Sequence, residues 1–214
     1  MIRNDSKQDK SVKEMRILGI TGGIGSGKSE VLRILDSKEG VYILESDKLA
    51  HKLMQPGHTC YKRIVEAFGT GILSQNESIN RPALGELVFS DPAKLDQLNR
   101  IVHPAVKSRI RSRIRSAKKR GVRLFVIEAA LLIQDGYRSI CDELWYIHVD
   151  RELRIERLLL GRGGTREKWE SVLQSQPKEA YFRENTDVTL ETGGDIRDLE
   201  KRIDFELKRM LADS

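Results

Sequence analysis

The sequence predicts an α/β fold in which a mainly parallel, five-stranded sheet lies between layers of helices. Five short runs are rich in Val, Ile, Leu and aromatic residues, and most are continuously apolar, as expected for strands covered on both faces. Helical patterns separate these runs, which is typical of parallel strands joined by crossover helices. The predicted strands are 16–20, 41–45, 123–128, 144–149 and 187–190.

The composition fits one domain and excludes several classes of protein. Of the 214 residues, 39% are hydrophobic, yet no apolar run approaches the roughly 18 residues of a membrane span. The net charge of +6 suits a nucleic-acid-binding protein or an enzyme for polyanionic small molecules. Cys60 and Cys141 are far apart and lack metal-binding spacing, so we expect a reduced, cytoplasmic protein.

Two segments depart from a simple alternation of strands and helices. Residues 1–14 are polar, with no hydrophobic segment after their charges, so we expect a flexible tail rather than a secretory signal, followed by one domain at 15–214. The interval between the second and third strands is far longer than a single crossover helix requires. It predicts a helical insertion at 48–120, with a candidate break at Pro104 in its last helix.

A glycine-rich segment follows the first strand and matches G-x-x-x-x-G-K-[ST] from Gly22 to Ser29. Bare glycine amides and a helix N-terminus together bind phosphate, while Lys28 reaches the β- and γ-phosphates and the Ser29 hydroxyl ligates Mg²⁺. The alternative is a turn that only joins a strand to a helix. Because every motif position and the strand–loop–helix context agree, we predict a site for ATP and Mg²⁺. Its predicted residues are Gly23, Ile24, Gly25, Ser26, Gly27, Lys28, Ser29 and Glu30.

The remaining sequence favours a small kinase among P-loop proteins. The N-K-x-D and D-x-x-G motifs of GTPases are absent from all 214 residues. Large ATPase motors are much longer than this chain. They also have a hydrophobic strand that ends in Asp, whereas the nearest equivalent strand here, in FVIEAALL, ends in Glu128. A kinase that transfers the γ-phosphoryl group to a hydroxyl or a phosphate fits this length.

Several ordered motifs resemble the dephospho-coenzyme A kinase family, from about Met15 to Asp195. They are GITGGIGSGKS, ILESDKLAHKLMQPG, LGELVFSDPAKLDQLNRIVHP, VIEAALLI and QSQPKEAYFRENTDVTLETGG. The resemblance implies a three-layer P-loop kinase fold and the ATP-dependent phosphorylation of the 3′-hydroxyl of dephospho-coenzyme A, the last step of coenzyme A biosynthesis. It also implies that the insertion binds the acceptor and that residues 150–178 form a lid.

The sequence departs from the family pattern at several positions. Glu45 and Ser46 replace the first two residues of the family's D-A-D, Glu30 replaces a common Thr, and Ala130 replaces the Pro of P-L-L. At 192–194 the usual Asn-x-Gly reads TGG, which leaves the adenine contacts undefined.

Asp47 matches the second acidic position of the D-A-D motif, which the family uses on the acceptor hydroxyl. An alcohol is a poor nucleophile, so a carboxylate must orient it and accept its proton. Read alone, Asp47 is equally well explained as the N-cap of the following helix. With the family match, Asp47 is predicted to be a catalytic residue. Glu45 is a further candidate for contact with Mg²⁺ or its water shell.

Arginines cluster after the fourth strand, in DRELRIERLLLGRGGTREK. The plain interpretation is a solvated basic helix. The position resembles the lid of P-loop kinases, where cations meet the charge on the transferred phosphoryl group, so Arg157 and Arg162 are predicted catalytic residues. Arg151 and Arg166 are expected to be surface residues.

The strongest block of charge lies at 106–120, beside an apolar stripe of Val102, Val106, Ile110 and Ile114. It could be a nucleic-acid surface or attract the acceptor's pyrophosphate, but without interleaved aromatic residues a packed helix with a solvated face is favoured. Two further residues can be explained without a ligand. His103 is a lone histidine, which more often has a structural role, and Arg81 lies at the start of a predicted helix. By family resemblance they are candidate acceptor-binding residues.

We therefore expect a kinase with a small-molecule acceptor, no nucleic-acid partner, no membrane association, and a monomeric or weakly homo-oligomeric state. The nearest alternative is another small nucleotide or nucleoside kinase. A P-loop ATPase bound to nucleic acid through residues 106–120 is a third hypothesis.

Overall fold

The structure, a computed structural model, describes residues 14–212 and contains a five-stranded sheet. Neighbouring strands are all parallel, in the order β2-β3-β1-β4-β5. The strands are β1 (Arg16–Thr21), β2 (Val41–Glu45), β3 (Leu124–Glu128), β4 (Glu143–His148) and β5 (Val188–Glu191). The predicted fold class is therefore confirmed. The predicted N-terminal tail lies outside the described residues, except for its last residue, Glu14.

Helices occupy the segments between the strands and the end of the described chain. They are α1 (Lys28–Asp36), α2 (Ser46–Leu53), α3 (Thr59–Phe68), α4 (Arg81–Phe89), α5 (Pro92–Lys119), α6 (Arg151–Arg162), α7 (Arg166–Gln174), α8 (Glu179–Asn185) and α9 (Ile196–Ala212). Short 3₁₀ turns lie at Thr70–Ile72 and Tyr137–Ser139. None of the helices in the described range 14–212 combines the length and apolarity needed to cross a bilayer.

Strand β3 shows why the strand sequences are continuously apolar. Phe125 and Ile127 pack into a core on the side of the sheet that the insertion covers. Leu124 and Val126 point to the opposite face, where they join a second core formed with residues of α1 and α9. Helices cover both faces of the sheet, so every position along β3 is buried, and the molecule has three layers.

The insertion consists of α2 to α5, and α5 contacts each of the other three helices. The candidate break at Pro104 is wrong, since α5 runs through it as one helix. Proline removes one backbone hydrogen bond from a helix, but buried Val102 and Val106 pack on either side of it and hold α5 in place. The predicted apolar stripe does face the core, and the basic side chains around it are exposed apart from the half-buried Lys107.

The register of the sheet brings three strand ends to one edge. Ile20 of β1 and Glu45 of β2 both pair with Glu128 of β3. The glycine-rich loop after β1, the start of α2 after β2 and the chain after β3 therefore leave the sheet side by side. This carboxyl edge is where α/β sheets place their ligand sites.

Candidate active site

The glycine-rich loop connects β1 to α1 and takes a conformation that needs glycine. Gly25 and Gly27 have φ values of 76° and 88°, in the left-handed region that side chains disfavour. Gly27 is also the N-cap of α1, and no side chain caps this helix end. The first amides of α1 are therefore open to a ligand.

Polar groups without partners line this loop. Among residues 14–212, no acceptor is found for the amides of Gly25, Gly27, Lys28 and Ser29. The buried Ser26 hydroxyl likewise has no hydrogen-bond partner within that range. Buried polar groups in proteins are nearly always satisfied, and amides at a helix N-terminus are suited to an anion. The loop thus has the donors that a bound phosphate requires.

Lys28 lies over the loop with its amine largely buried. Its Nζ atom donates to the Gly22 carbonyl at 2.6 Å and lies 3.9 Å from Oε1 of Glu128. Burial lowers the pKa of Lys28, while the charges of Glu128 and Asp47 act in the opposite direction and favour the protonated amine. The two carboxylates therefore help to keep a buried cation beside the open amides.

Three carboxylates face the loop from the ends of β2 and β3. Burial raises the pKa of Glu128, and the nearby Lys28 charge opposes this shift. Glu45 accepts from the Lys48 amine at 2.7 Å. Asp47 is exposed in the first turn of α2, whose N-cap is Glu45 and has no side-chain capping bond. Asp47 is therefore not the N-cap of α2, which removes the structural explanation that its sequence position allowed.

The two predicted lid arginines differ in their surroundings. Arg157 is half-buried, and its two Nη atoms donate to the hydroxyl and the carbonyl oxygen of Thr192 at 3.1 and 2.6 Å. Arg162, the last residue of α6, is exposed and has no ion-pair partner among residues 14–212. Its charge acts on Lys28 to lower the pKa of that amine. Arg162 is thus a free cation near the loop, whereas Arg157 is already held in place.

One cavity of about 710 Å³ brings most of the predicted site residues together. Its lining includes the loop from Gly22 to Ser29, the carboxylates Glu45, Asp47 and Glu128, the lid arginines Arg157 and Arg162, and Leu131, Gln134 and Gln176. Anion-binding amides, a cation and carboxylates therefore share one space. This is the combination that phosphoryl transfer to a hydroxyl needs.

Three predicted residues lie outside that lining. The Glu30 side chain is exposed and forms an ion pair with Arg33 at 2.5 Å, and this contact holds the pKa of Glu30 below its usual range. Arg81 is the exposed first residue of α4. His103 lies on α5, and its Nδ1 atom is 3.1 Å from the Asp135 carboxylate, next in sequence to Gln134 of the cavity.

The side chains of residues 14–212 do not by themselves form a metal cage. In the described part of the chain, no group of three or more His, Cys, Asp or Glu residues is arranged to hold a metal ion. Ser29 and Glu45 both line the cavity and carry oxygen ligands of the kind that Mg²⁺ accepts. Such sites usually complete the coordination of Mg²⁺ with substrate phosphates and water, so the residues fit that ion.

Several residues of the site were not predicted. Glu128 ends a strand beside the loop, and this position in the sequence could have identified it as a site residue. Arg154, Gln176 and Thr192 contact the loop backbone from distant parts of the sequence. Nothing in the spacing of the sequence indicated these contacts, because they depend on how α6 and the segments after α7 and β5 pack against the loop.

Comparison with known protein families gives a match over residues 16–198 to the dephospho-CoA kinase model. The chain belongs to the dephospho-CoA kinase family. A dephospho-CoA kinase of Geobacter sulfurreducens is 37% identical over 190 residues, which cover 89% of this chain and 96% of that protein. The family resemblance drawn from the sequence motifs is therefore confirmed.

Solved structures agree at the level of the fold. A Thermus thermophilus protein designated TT1252 has a TM-score of 0.77 and 29% identity, covering 92% of this chain and 98% of that one. A dephospho-CoA kinase from Campylobacter jejuni has a TM-score of 0.69 and 22% identity, covering 94% of this chain and 99% of that one. The three-layer arrangement is thus shared with a member of the dephospho-CoA kinase family.

Proposed function

We propose that this protein transfers the γ-phosphoryl group of ATP to the 3′-hydroxyl of dephospho-coenzyme A, giving coenzyme A and ADP as the last step of coenzyme A biosynthesis. The observation that carries the proposal is the shared cavity, in which an open phosphate loop faces carboxylates at the adjacent strand ends. Membership of the dephospho-CoA kinase family supports the choice of acceptor.

The phosphates of ATP bind at the loop. The amides of Gly25, Gly27, Lys28 and Ser29, which have no acceptor among residues 14–212, hold phosphate oxygens. The Lys28 amine leaves its contact with the Gly22 carbonyl to meet the β- and γ-phosphates. The Ser29 hydroxyl, with Glu45 directly or through water, holds Mg²⁺. When bound, this ion supplies positive charge that stabilises the phosphates during transfer.

Asp47 acts on the acceptor hydroxyl. The 3′-oxygen forms a bond to the γ-phosphorus while the bond between that phosphorus and the β–γ bridging oxygen breaks, leaving ADP. The hydroxyl proton passes to the Asp47 carboxylate. Glu128 is deeper in the cavity and lies against Lys28, so its role is to support that cation.

The lid arginines stabilise the charge that develops on the transferred group. Arg162 is exposed and unpaired within the described residues, so it can turn towards the γ-phosphate as the 150–178 lid closes. Arg157 is fixed to Thr192 beside Gly27 and acts from a set position. Arg157 is already in place, whereas Arg162 reaches the γ-phosphate only when the lid closes. The site would therefore be complete only when both substrates are present.

The insertion at 48–120 binds the acceptor. His103 of α5 contacts Asp135, which is next in sequence to Gln134 of the cavity, and Arg81 provides an exposed cation on α4. We assign both to the acceptor's polar groups. The protein acts in the cytoplasm as a monomer or weak homo-oligomer, without a nucleic-acid partner.

The test is acceptor-dependent release of ADP, measured in a coupled assay with Mg²⁺ and ATP. The acceptors are dephospho-coenzyme A, nucleosides and nucleoside monophosphates, with single-stranded nucleic acid as a separate addition. The proposal expects strong stimulation by dephospho-coenzyme A alone. Preference for a nucleoside or nucleotide would support another small kinase, and stimulation by nucleic acid without an acceptor would support an ATPase; either result would overturn the proposal.

A further inference from the structure

Two side chains from outside the glycine motif bind carbonyl oxygens of the loop. Arg154 of α6 donates from Nε to the carbonyl of Ile24 at 3.0 Å. Thr192, just after β5, donates from its hydroxyl to the carbonyl of Ser26 at 2.7 Å. Arg154 is half-buried and Thr192 is buried, so neither contact is a loose surface interaction.

Gln176 strengthens the first of these contacts. Its Oε1 atom accepts from Nη2 of Arg154 at 2.6 Å and from the amide of Ile24 at 3.3 Å. Ile24 is therefore held at both its N–H and its C=O groups by two side chains that also bind each other. Gln176 lies between α7 and α8, so the contact joins two parts of the lid region to the loop.

The contacting side chains lie so close to two glycines of the loop that a Cβ atom there would displace them. A Cβ atom at Gly23 would lie 2.1 Å from Nη2 of Arg154 and 2.5 Å from Oε1 of Gln176. A Cβ atom at Gly27 would lie 2.7 Å from the Thr192 hydroxyl. A side chain at Gly23 would therefore displace the ends of Arg154 and Gln176 from the loop, and one at Gly27 would meet Thr192 as well as a disfavoured φ of 88°.

The geometry of the peptide bond links these outer contacts to the inner face of the loop. In a planar trans peptide the carbonyl of one residue and the amide of the next point in opposite directions. Fixing the Ile24 carbonyl therefore fixes the direction of the Gly25 amide, and fixing the Ser26 carbonyl does the same for Gly27. Gly25 and Gly27 are two of the residues whose amides have no acceptor within the described range.

We propose that Arg154 with Gln176, and Thr192 on the other side, are positioning residues that aim the amides of Gly25 and Gly27 at the phosphates of a bound nucleotide. The inference rests on the proposed binding of ATP and adds to it three residues outside the motif. Without these contacts the two peptide units can rotate, so the loop loses preorganisation and binds terminal phosphates less tightly. Binding of the acceptor does not depend on them.

The first experiment measures ADP and AMP affinity by calorimetry for Thr192→Val and Thr192→Ser. Valine keeps the shape but loses the hydroxyl, and with it the bond that this hydroxyl accepts from Arg157, whereas Arg157 retains its bond to the carbonyl at position 192. We expect Thr192→Val to weaken ADP binding by roughly two- to tenfold, as for one hydrogen bond, and to lower the ratio of ADP to AMP affinity. Thr192→Ser should restore both values. Equal loss for ADP and AMP, or no rescue by serine, would contradict positioning by this hydroxyl.

The second experiment is a double-mutant cycle with Arg154→Met and Gln176→Leu. Each change should weaken ADP binding and raise the KM for ATP, with the KM for the acceptor unchanged, and the two losses should not add because the residues act as one unit. Arg151→Met on the same helix is the control and should match wild type. If Arg154 instead touched phosphate directly, Gln176→Leu would leave ADP affinity unchanged, and the proposal would be wrong.

These measurements separate the inference from the proposed function. Tight ADP binding by the wild type with no phosphorylation of dephospho-coenzyme A would overturn the proposed acceptor and leave the loop contacts as stated. Wild-type ADP affinity in all the variants would overturn the positioning role alone. Should Thr192→Val fail to fold, the Arg154 and Gln176 variants provide the same test.

Discussion

The Nζ atom of Lys28 lies 3.9 Å from Oε1 of Glu128, and both side chains are largely buried. Burial disfavours the charged form of each group, and each partner's charge offsets part of that cost. The pair therefore maintains a cation beside the phosphate loop, at the carboxyl edge of the sheet.

Lys28→Met should reduce phosphoryl transfer by roughly 10² to 10³, the usual loss when one stabilising donor is removed. Methionine retains most of the side-chain volume, so the fold should persist. Turnover and melting temperature should be measured beside Lys38→Met, whose ion pair with Asp204 lies outside the cavity. Activity within a few-fold of wild type would show that the loop with Lys28 is not the phosphate-binding site.

Glu128 should make the stability of the protein depend on pH. The pKa of Glu128 is raised in the folded protein above its ordinary value of 4.5, so between the unfolded and folded pKa values the folded state binds more protons than the unfolded state. The free energy of unfolding contributed by Glu128 therefore falls as pH rises through that window. Glu128→Gln should flatten this fall in denaturant titrations made from pH 4 upward. An unchanged pH profile would show that Glu128 does not titrate with a raised pKa.

Asp47→Asn should lower turnover by roughly 10² to 10⁴, the range for general acid–base assistance, because asparagine cannot accept the hydroxyl proton. ATP affinity and melting temperature should stay near wild type, since Asp47 neither caps α2 nor belongs to the loop. Asp36→Asn, at the exposed end of α1, is the control. Normal turnover in a normally folded Asp47→Asn protein would refute the catalytic assignment.

Arg162→Ala should lower kcat more than it raises the KM for the acceptor, because its contact forms mainly in the transition state. Arg166→Ala is a matched control in the lid region, since Arg166 is exposed but forms an ion pair with Glu152 at 2.9 Å. Steady-state kinetics with each substrate varied will distinguish the two parameters. An effect confined to the KM for the acceptor would make Arg162 a binding residue and require a different lid model.

His103→Ala should raise the KM for dephospho-coenzyme A several-fold. The increase should not exceed about tenfold, which is the effect expected for one lost hydrogen bond. The KM for ATP should not change, because His103 contacts Asp135 and lies outside the loop. Arg100→Ala, on the same helix and paired with Asp96, serves as the control. Equal KM values for the acceptor in all three proteins would exclude His103 from acceptor binding.

The strands and the phosphate loop were predictable because their signals are local. Buried parallel strands require continuous apolar runs, and a phosphate loop requires glycine, lysine and a hydroxyl at fixed spacing. Asp47 was predicted as catalytic from the family motif, although its position alone suits a helix cap equally well. The observed start of α2, with Glu45 as its N-cap, excludes the cap explanation, and the catalytic role stays a prediction.

Other features depend on packing between distant segments. Arg154 and Gln176 meet the loop residue Ile24 across 130 and 152 positions, and no sequence pattern specifies such a contact. Pro104 shows the converse: its local signal predicts a break, whereas burial of Val102 and Val106 keeps α5 continuous. Tertiary packing decided both outcomes.

The structure of the product shows whether the phosphoryl group is transferred to the 3′-hydroxyl of dephospho-coenzyme A. The wild-type protein is incubated with ATP, Mg²⁺ and dephospho-coenzyme A, and the product is examined by two-dimensional ¹H–³¹P correlation spectroscopy. We expect a new phosphomonoester signal coupled to the 3′-proton of the ribose, from a product formed in the same amount as ADP. ADP release without a new monoester, or a monoester coupled to any other proton of the acceptor, would contradict the proposed transfer.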